Sequence, residues 1–247
     1  MSAMLTLFCL PHAGASAMGY ARWRRSVPAW LDIRPLELPG RGSRLGEPLA
    51  TDLVDLAAQL ALELRGETRR PYALFGHSMG SLLAFELACA LRALGLPPPQ
   101  ALVVSGGAAP AQRDYLRFRT PMSDEQLLGE LARLQGTPDE ALQDPELMRL
   151  ALPVLRADFL LCGRYRYQPS APLQCPLHVL AGSQDTASEA QLLAWRELAA
   201  TDFSLKLFDA GHFFIQTQER AVLAHLAACL APHAPAARPD SHFFAKV

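Results

Sequence analysis

Two hydrophobic patterns alternate along the chain, and this alternation leaves few folds open. Six short apolar runs are each bounded by proline, glycine or polar residues, as buried strands are. The stretches between them carry apolar residues at helical spacing, for example Leu53, Leu56, Leu60 and Leu64. Strands that alternate with helices predict an α/β fold with a mostly parallel sheet flanked by helices. The runs are residues 5–10, 33–38, 72–75, 101–105, 177–181 and 203–208.

Composition narrows the class of protein further. The 247 residues include 23 basic and 24 acidic ones, which gives a net charge of −1, and 50% are hydrophobic. Such a composition excludes a disordered or collagen-like chain and argues against a broad nucleic-acid surface. No apolar run reaches the roughly 18 residues of a membrane span, and the first residues lack the basic segment of a secretory leader. We therefore expect no nucleic-acid partner and no membrane partner.

The cysteines and the absence of cofactor motifs limit the chemistry. The five cysteines are scattered, and none belongs to a Cys-x-x-Cys pair, so they indicate neither a zinc site nor a disulfide framework. Buried thiols of this kind are typical of a reducing compartment, which predicts a cytoplasmic location. The sequence also has no phosphate-binding loop, dinucleotide fingerprint or cluster of metal ligands, so we expect no metal and no other cofactor.

The alternation of strands and helices stops between about residues 113 and 164. The pattern there is helical over residues 124–134, 139–142 and 146–161, with no convincing strand. An all-helical insertion predicts a lid over one end of the sheet, and an ordinary helical connection is the alternative. The expected organisation is an α/β core of residues 1–112 and 165–232, a helical lid insertion of residues 113–164, and a flexible C-terminal tail of residues 233–247, rich in Pro and Ala.

The strongest chemical signal is the pentapeptide Gly76-His77-Ser78-Met79-Gly80. It follows the apolar run 72–75 and precedes a helical run, the strand–turn–helix context in which Gly-x-Ser-x-Gly forms a nucleophile elbow. The sharp turn exposes the serine hydroxyl, and a side chain at either glycine is expected to collide with neighbouring backbone. The dipole of the following helix favours negative charge that develops at the serine. These features predict Ser78 as a nucleophile.

A serine hydroxyl needs a base, and the base needs an acid to orient it. In folds with this elbow the order along the chain is serine, acid, histidine. Asp185 and His212 each follow a predicted strand, at the sheet edge where sites of parallel sheets form. We expect Asp185 to be the acid and His212 the base; a helix cap and a surface histidine are the alternative roles. Asp209 and Asp158 are the other candidate acids.

A loop after the first predicted strand has the composition of an oxyanion hole. Residues 11–16 read Pro-His-Ala-Gly-Ala-Ser. The tetrahedral intermediate of acyl transfer needs two preorganised N–H donors. One is expected from Met79, directly after the nucleophile, and the other from a loop after an early strand, where Ala13 lies. An ordinary turn between a strand and a helix is the alternative.

Five motifs together resemble one known family. They are Leu10-Pro11-His12-Ala13-Gly14, Leu38-Pro39-Gly40-Arg41, Gly76-His77-Ser78-Met79-Gly80, Arg164-Tyr165-Arg166-Tyr167 and Gly211-His212-Phe213-Phe214. In this order, over about residues 5 to 230, they resemble the type II (external, editing) thioesterases of non-ribosomal peptide and polyketide synthesis, which are α/β-hydrolases. The chain also resembles the thioesterase of pyochelin-type siderophore clusters.

The resemblance implies an activity and a set of site residues. It implies a serine hydrolase that cleaves acyl or aminoacyl thioesters from the phosphopantetheine arm of peptidyl or acyl carrier proteins, and so clears stalled or misprimed synthases. Ser78, Asp185 and His212 match the catalytic triad of the family, and the backbone amides of Ala13 and Met79 match its oxyanion donors. The chain departs from the family pattern at Ala15 and Gly42 and in the loop after Asp185, which bears on acyl selectivity.

Three other functions stay open on the sequence alone. They are a small-molecule esterase or peptidase, an acyltransferase, and a binding module without catalysis, although the intact set of serine, acid and histidine argues against the last. Seven arginines are candidates for docking an acidic carrier protein, with solvated surface charge as the alternative. These are Arg22, Arg24, Arg25, Arg41, Arg44, Arg69 and Arg70.

Overall fold

The fold is built on one parallel sheet. A computed structural model describes residues 4–234, apart from the side chain of Asp139, so most of the predicted tail lies outside the described residues. Within them, six strands are all paired in parallel in the order β2-β1-β3-β4-β5-β6. The strands are β1 (Leu5–Leu10), β2 (Leu31–Pro35), β3 (Tyr72–His77), β4 (Leu102–Ser105), β5 (Leu177–Gly182) and β6 (Phe203–Phe208).

All six predicted strands are present, but the bounds of the second differ from the prediction. The predicted run is 33–38, whereas β2 spans Leu31–Pro35. Leu36 still donates its N–H to the carbonyl of Cys9, and Leu38 is buried from the loop that follows. The apolar pattern therefore continues past the strand, because loop residues also enter the core.

Helices cover both faces of the sheet. Along β1 the side chains alternate between the two faces. Leu7 and Cys9 face a core closed by the helices of residues 18–21 and 219–230, whereas Phe8 and Leu10 face one closed by the helices of residues 53–64 and 79–93. This two-sided burial explains why the strands read as short continuous apolar runs. The helices are α1 (Met18–Ala21), α2 (Leu53–Leu64), α3 (Met79–Ala93), α4 (Asp124–Leu134), α5 (Asp139–Leu142), α6 (Pro145–Arg164), α7 (Glu189–Leu193), α8 (Phe214–Thr217) and α9 (Glu219–Leu230).

The insertion between β4 and β5 contains α4, α5 and α6 and has its own small apolar core. Ser123 starts α4 with a capping box in which its hydroxyl accepts from the N–H of Gln126 and the Gln126 amide side chain accepts from the N–H of Ser123. Helix α6 runs through Pro153 without ending. The core of the insertion consists of Leu127, Met148, Leu152, Leu155 and Phe159.

The parallel sheet places one set of loops together. The loops after β1, β3, β5 and β6 all leave the carboxyl edge, where ligand sites of such sheets form. No helix in the described range 4–234 combines the length and the apolar character that crossing a membrane requires.

Candidate active site

Ser78 occupies a strained turn between β3 and α3. Its backbone has φ 57° and ψ −111°, outside the regions that non-glycine residues prefer. A Cβ atom at Gly76 would lie 1.8 Å from the carbonyl oxygen of Gly80, and one at Gly80 would lie 2.3 Å from that of Leu10. The steric reason predicted for the two glycines is therefore confirmed, and the turn presents the Ser78 hydroxyl at the carboxyl edge of the sheet.

Ser78, His212 and Asp185 form one chain of hydrogen bonds. His212 Nε2 lies 3.0 Å from Ser78 Oγ, and His212 Nδ1 lies 2.7 Å from Asp185 Oδ2. The Asp185 side chain is 4% exposed and that of His212 is 12% exposed. The structure thus brings the three predicted residues together from the ends of β3, β5 and β6, although 134 positions separate the serine from the histidine.

The protonation of this chain follows from the acid. Burial alone would raise the pKa of Asp185, but the hydrogen bond and charge of His212 and the backbone N–H of Thr186 outweigh it, and the pKa lies below its ordinary value. An ionised carboxylate only accepts hydrogen bonds, so His212 carries its proton on Nδ1. Nε2 is then free to accept the proton of the Ser78 hydroxyl, which is the arrangement a general base needs.

Two further histidines lie behind His212. The centroid of the His77 ring is 5.0 Å from that of His212, and the ring of His12 is 6.0 Å from that of His77. Burial lowers the pKa of His77 well below its ordinary value, and burial lowers that of His12 to about 4. Both rings are therefore neutral near pH 7.

The proposed oxyanion donors lie beside the serine. Among the hydrogen bonds of residues 4–234, neither the Ala13 N–H nor the Met79 N–H has an acceptor. Met79 is the first residue of α3, where N–H groups have no partner within the helix. Ala13 lines the same cavity as Ser78 and His212. Both amides are thus available to a ligand oxygen at this point.

Ser78 opens onto two cavities of different character. One is an open cleft of about 770 Å³, solvent at its mouth included, between the loop after β1 and the insertion, and its walls are mostly apolar. Its lining includes Leu131, Leu134, Met148, Ala151, Leu155 and Phe159. The other is an open cleft of about 950 Å³ between the loop after β4 and the loop after β5, and many of its walls are polar. Its lining includes Gln112, Arg113, Glu130, Arg133, Thr186 and Gln191.

Arg113 is a site residue that the sequence did not reveal. Its guanidinium donates to the carbonyl oxygens of Ala108 and Ser78 and, at 2.6 Å, to the Ser81 hydroxyl. A Cβ atom at Gly107 would lie 2.2 Å from this guanidinium. Arg113 therefore braces the backbone on both sides of the polar cavity. No motif marks it, because its partners are mostly backbone carbonyls.

The other candidate acids have different partners. Asp209 accepts from the Ser183 hydroxyl at 3.3 Å and from the Gln184 side chain at 3.0 Å. Asp158 is buried in an ion pair with Arg41. The view of Arg41 as a surface docking charge is wrong, since its side chain is 7% exposed. The pairing was hidden because the two residues are 117 positions apart.

A family model decides what kind of protein this is. Residues 5–230 match the thioesterase domain family. The chain belongs to this family. It is 39% identical over 219 residues to the gramicidin S biosynthesis protein GrsT of Aneurinibacillus migulanus, which covers 87% of this chain and 84% of that protein.

Solved structures agree with the family assignment. RedJ, a thioesterase from the prodiginine pathway of Streptomyces coelicolor, superposes with a TM-score of 0.83 at 36% identity, over 92% of this thioesterase and 85% of RedJ. YbtT, a type II thioesterase from the yersiniabactin NRPS/PKS pathway, gives a TM-score of 0.81 at 32% identity, over 95% of each chain. The expected α/β-hydrolase fold and the resemblance to type II thioesterases are confirmed, and the protein is a thioester hydrolase. The narrower resemblance to a pyochelin-type enzyme stays a prediction.

Proposed function

We propose that this thioesterase removes acyl and aminoacyl groups from the phosphopantetheine arm of peptidyl or acyl carrier proteins, with Ser78 as nucleophile, His212 as base and Asp185 as the orienting acid. The observation that carries the proposal is the hydrogen-bonded chain from Asp185 through His212 to Ser78, at the meeting point of the two cavities. GrsT is named for gramicidin S biosynthesis and YbtT for an NRPS/PKS pathway, which supports a substrate of this class.

The reaction proceeds in two balanced steps. As Ser78 Oγ attacks the thioester carbon, its proton passes to His212 Nε2, and the carbonyl oxygen gains negative charge beside the amides of Ala13 and Met79. The C–S bond then breaks, and the pantetheine thiolate takes up the proton. In the second step water gives its proton to His212 and attacks the acyl-enzyme, which releases the acid and restores the Ser78 hydroxyl.

The leaving group explains why broad acyl acceptance is compatible with this site. A thiol has a pKa of about 8.5, far below that of an alcohol, so the thiolate departs with little help from an acid. His212 is needed mainly as a base, and the acyl group need not be held in one precise pose. This suits an editing enzyme, which meets many misprimed acyl groups, siderophore assembly being one pathway of the kind.

The two cavities support the proposal that the acyl group and the pantetheine arm bind at separate places. The apolar cavity suits the acyl chain, because its walls are side chains of Leu, Met and Phe. The polar cavity suits the amides of the pantetheine arm, because Gln112, Thr186 and Gln191 line it. Helices of residues 113–164 form walls of both, which supports the proposal that this insertion acts as a lid.

Surface charge and thiols support the proposed partner and location. Arg22, Arg24 and Arg25 lie on one short segment and are exposed, and Arg22 forms an ion pair with Glu219 at its edge. An exposed basic surface of this kind suits an acidic carrier protein. All five cysteines lie within residues 4–234 and are free, which supports a reducing, cytoplasmic compartment.

The test is hydrolysis of a panel of acyl groups loaded on carrier protein, with wild type and Ser78→Ala compared. We expect wild type to release free acids and Ser78→Ala to lose both this activity and covalent labelling by a fluorophosphonate. Hydrolysis that survives Ser78→Ala would refute the assigned nucleophile. Faster cleavage of free short esters than of acylated carrier protein would indicate an esterase, and acyl groups recovered on an acceptor other than water would indicate an acyltransferase.

A further inference from the structure

A buried ion pair joins the insertion to the core beside the active site. Arg41 donates from both terminal nitrogens to Asp158, at 2.6 Å and 2.7 Å. Asp158 lies on α6 and Arg41 follows the Pro39-Gly40 turn, and the two side chains are 4% and 7% exposed. Burying two charges is costly, and a pair of this kind is weak evidence for a purely stabilising role. The pair therefore calls for a further explanation.

The explanation lies in the third partner of the carboxylate. The backbone N–H of Gly14 donates to Asp158 Oδ2 at 2.8 Å, and Arg41 donates to the carbonyl oxygen of Ala15 at 3.3 Å. The pair thus holds the backbone on the carboxyl side of Ala13 from two directions. Gly14 has φ 77°, a backbone conformation that glycine adopts readily and other residues rarely do.

We propose that Asp158 is a positioning residue for the oxyanion hole: from helix α6, and held by Arg41, it fixes the Gly14 amide and with it the Ala13 N–H beside Ser78. The inference rests on the proposed function, because it takes Ala13 as an oxyanion donor. An oxyanion hole works only when its donors are fixed before the charge develops. A buried carboxylate locked by a bidentate arginine supplies such a fixed anchor.

The same helix also touches the acyl group's cavity. Leu155 and Phe159 flank Asp158 on α6, and both line the apolar cavity. A Cβ atom at Gly14 would lie 2.4 Å from Leu155 Cδ2, so the helix packs directly on the loop that Asp158 holds. The position of α6 is therefore coupled to that of the oxyanion loop, both through Asp158 and through the packing of Leu155 on Gly14.

Three variants of the full-length enzyme test this role. Asp158→Leu removes the acceptor of the Gly14 N–H. We expect kcat on acylated carrier protein to fall about 10- to 100-fold, which is a smaller loss than removal of a whole oxyanion donor causes. KM should stay unchanged. Asp158→Asn keeps an acceptor oxygen and should recover part of kcat. Arg41→Met/Asp158→Leu removes both charges, so we expect its thermal stability to return toward wild type while kcat stays low.

Inhibition by a transition-state analogue distinguishes a positioning role from a purely structural one, because the Ki depends on the oxyanion hole. A trifluoromethyl ketone forms a tetrahedral adduct with the serine and places its oxyanion in the hole, so its Ki should rise by the factor by which kcat falls. Glu86→Gln is the matched control, because Glu86, on α3, accepts from Tyr165 directly after α6 and makes no hydrogen bond to Ala13, Gly14 or Ala15. We expect its kcat and Ki to equal those of wild type.

The outcomes separate this inference from the proposed function. If wild type does not hydrolyse acylated carrier protein, the proposed function fails. If wild type is active, and kcat returns together with thermal stability in Arg41→Met/Asp158→Leu, then Asp158 is merely structural and the inference is overturned. An unchanged Ki in Asp158→Leu would overturn it as well.

Discussion

His212 and Asp185 share a hydrogen bond of 2.7 Å in a place that excludes most solvent, since the Asp185 side chain is 4% exposed. The bond fixes the tautomer of the imidazole and leaves Nε2 toward Ser78. In the proposed reaction the negative charge would also stabilise the imidazolium that forms when the serine gives up its proton. The proposed mechanism therefore makes the reactivity of Ser78 depend on the geometry of this one pair.

Asp185→Asn should therefore lower kcat by about 10³- to 10⁴-fold, because an amide no longer enforces the tautomer or balances the imidazolium charge. The measurement is steady-state hydrolysis of acylated carrier protein at pH 7. Asp209→Asn is the matched control: it changes a neighbouring carboxylate that binds Ser183 and Gln184 instead of His212. Equal losses in the two variants would contradict the assignment of the acid.

Gly76→Ala should prevent correct folding of the elbow. Its Cβ atom would lie 1.8 Å from the carbonyl oxygen of Gly80, and backbone cannot yield as a flexible side chain does. We expect a loss of several kcal/mol in the free energy of unfolding, at or beyond the ~1–3 kcal/mol of ordinary overpacking, measured by urea denaturation. Gly129→Ala, in α4 with open space around it, should instead be neutral or stabilise by up to ~1 kcal/mol. Equal stabilities would refute the steric account of Gly76.

The site could be predicted where chemistry fixes the order of residues along the chain. The elbow motif predicts that serine, acid and histidine each follow a strand, and parallel strands bring those ends to one edge. The sequence alone therefore predicts that Ser78, Asp185 and His212 lie together, as they do. Arg41 could not be assigned in this way, because its surroundings depend on which turn of α6 faces it. An arginine in a polar loop is ordinarily exposed.

The fold shows the same limit. Apolar runs located the central strands because a sheet covered on both faces buries every residue of β3 and β4 and all but one residue each of β1 and β5. The predicted end of β2 is wrong because hydrophobicity indicates burial and not strand structure. Leu38 is buried although it lies in the loop after β2. A helix cap depends on residues that are close in sequence, so the start of α4 could be predicted from Ser123 and Gln126. How the insertion packs onto the core could not be predicted from the sequence.

Ala151→Phe should narrow the acyl preference. Ala151 lines the apolar cavity from α6, and a benzyl group there removes space that a long acyl chain would use. We expect kcat/KM for a medium-chain acyl group to fall about 10-fold or more relative to that for acetyl, within the range that pocket volume alone can give. The measurement is competition between acyl groups on one carrier protein.

Leu150→Phe is the control for this prediction. Leu150 is the neighbouring residue on the same helix but is 66% exposed, on the face turned away from the cavity. The ratio of medium-chain to acetyl activity should equal that of wild type. A shift in both variants, or in neither, would mean that the apolar cavity does not hold the acyl chain.

The buried ring of His77 should make the protein less stable as the pH falls. Burial lowers its pKa well below its ordinary value of 6.5, so below pH 6.5 the unfolded chain binds a proton that the native protein does not. This contribution to the free energy of unfolding is complete above pH 6.5. Below that pH it declines by about 1.4 kcal/mol for each pH unit until the pKa of the native protein is reached.

His77→Asn removes this titration and still offers a polar group to the Ser105 hydroxyl, to which His77 is hydrogen-bonded at 2.9 Å. Between pH 7 and pH 5, wild type should therefore lose more of its unfolding free energy than the variant does, by at most about 2 kcal/mol. Urea denaturation at both pH values measures the difference, and parallel losses would show that His77 is protonated in the native state.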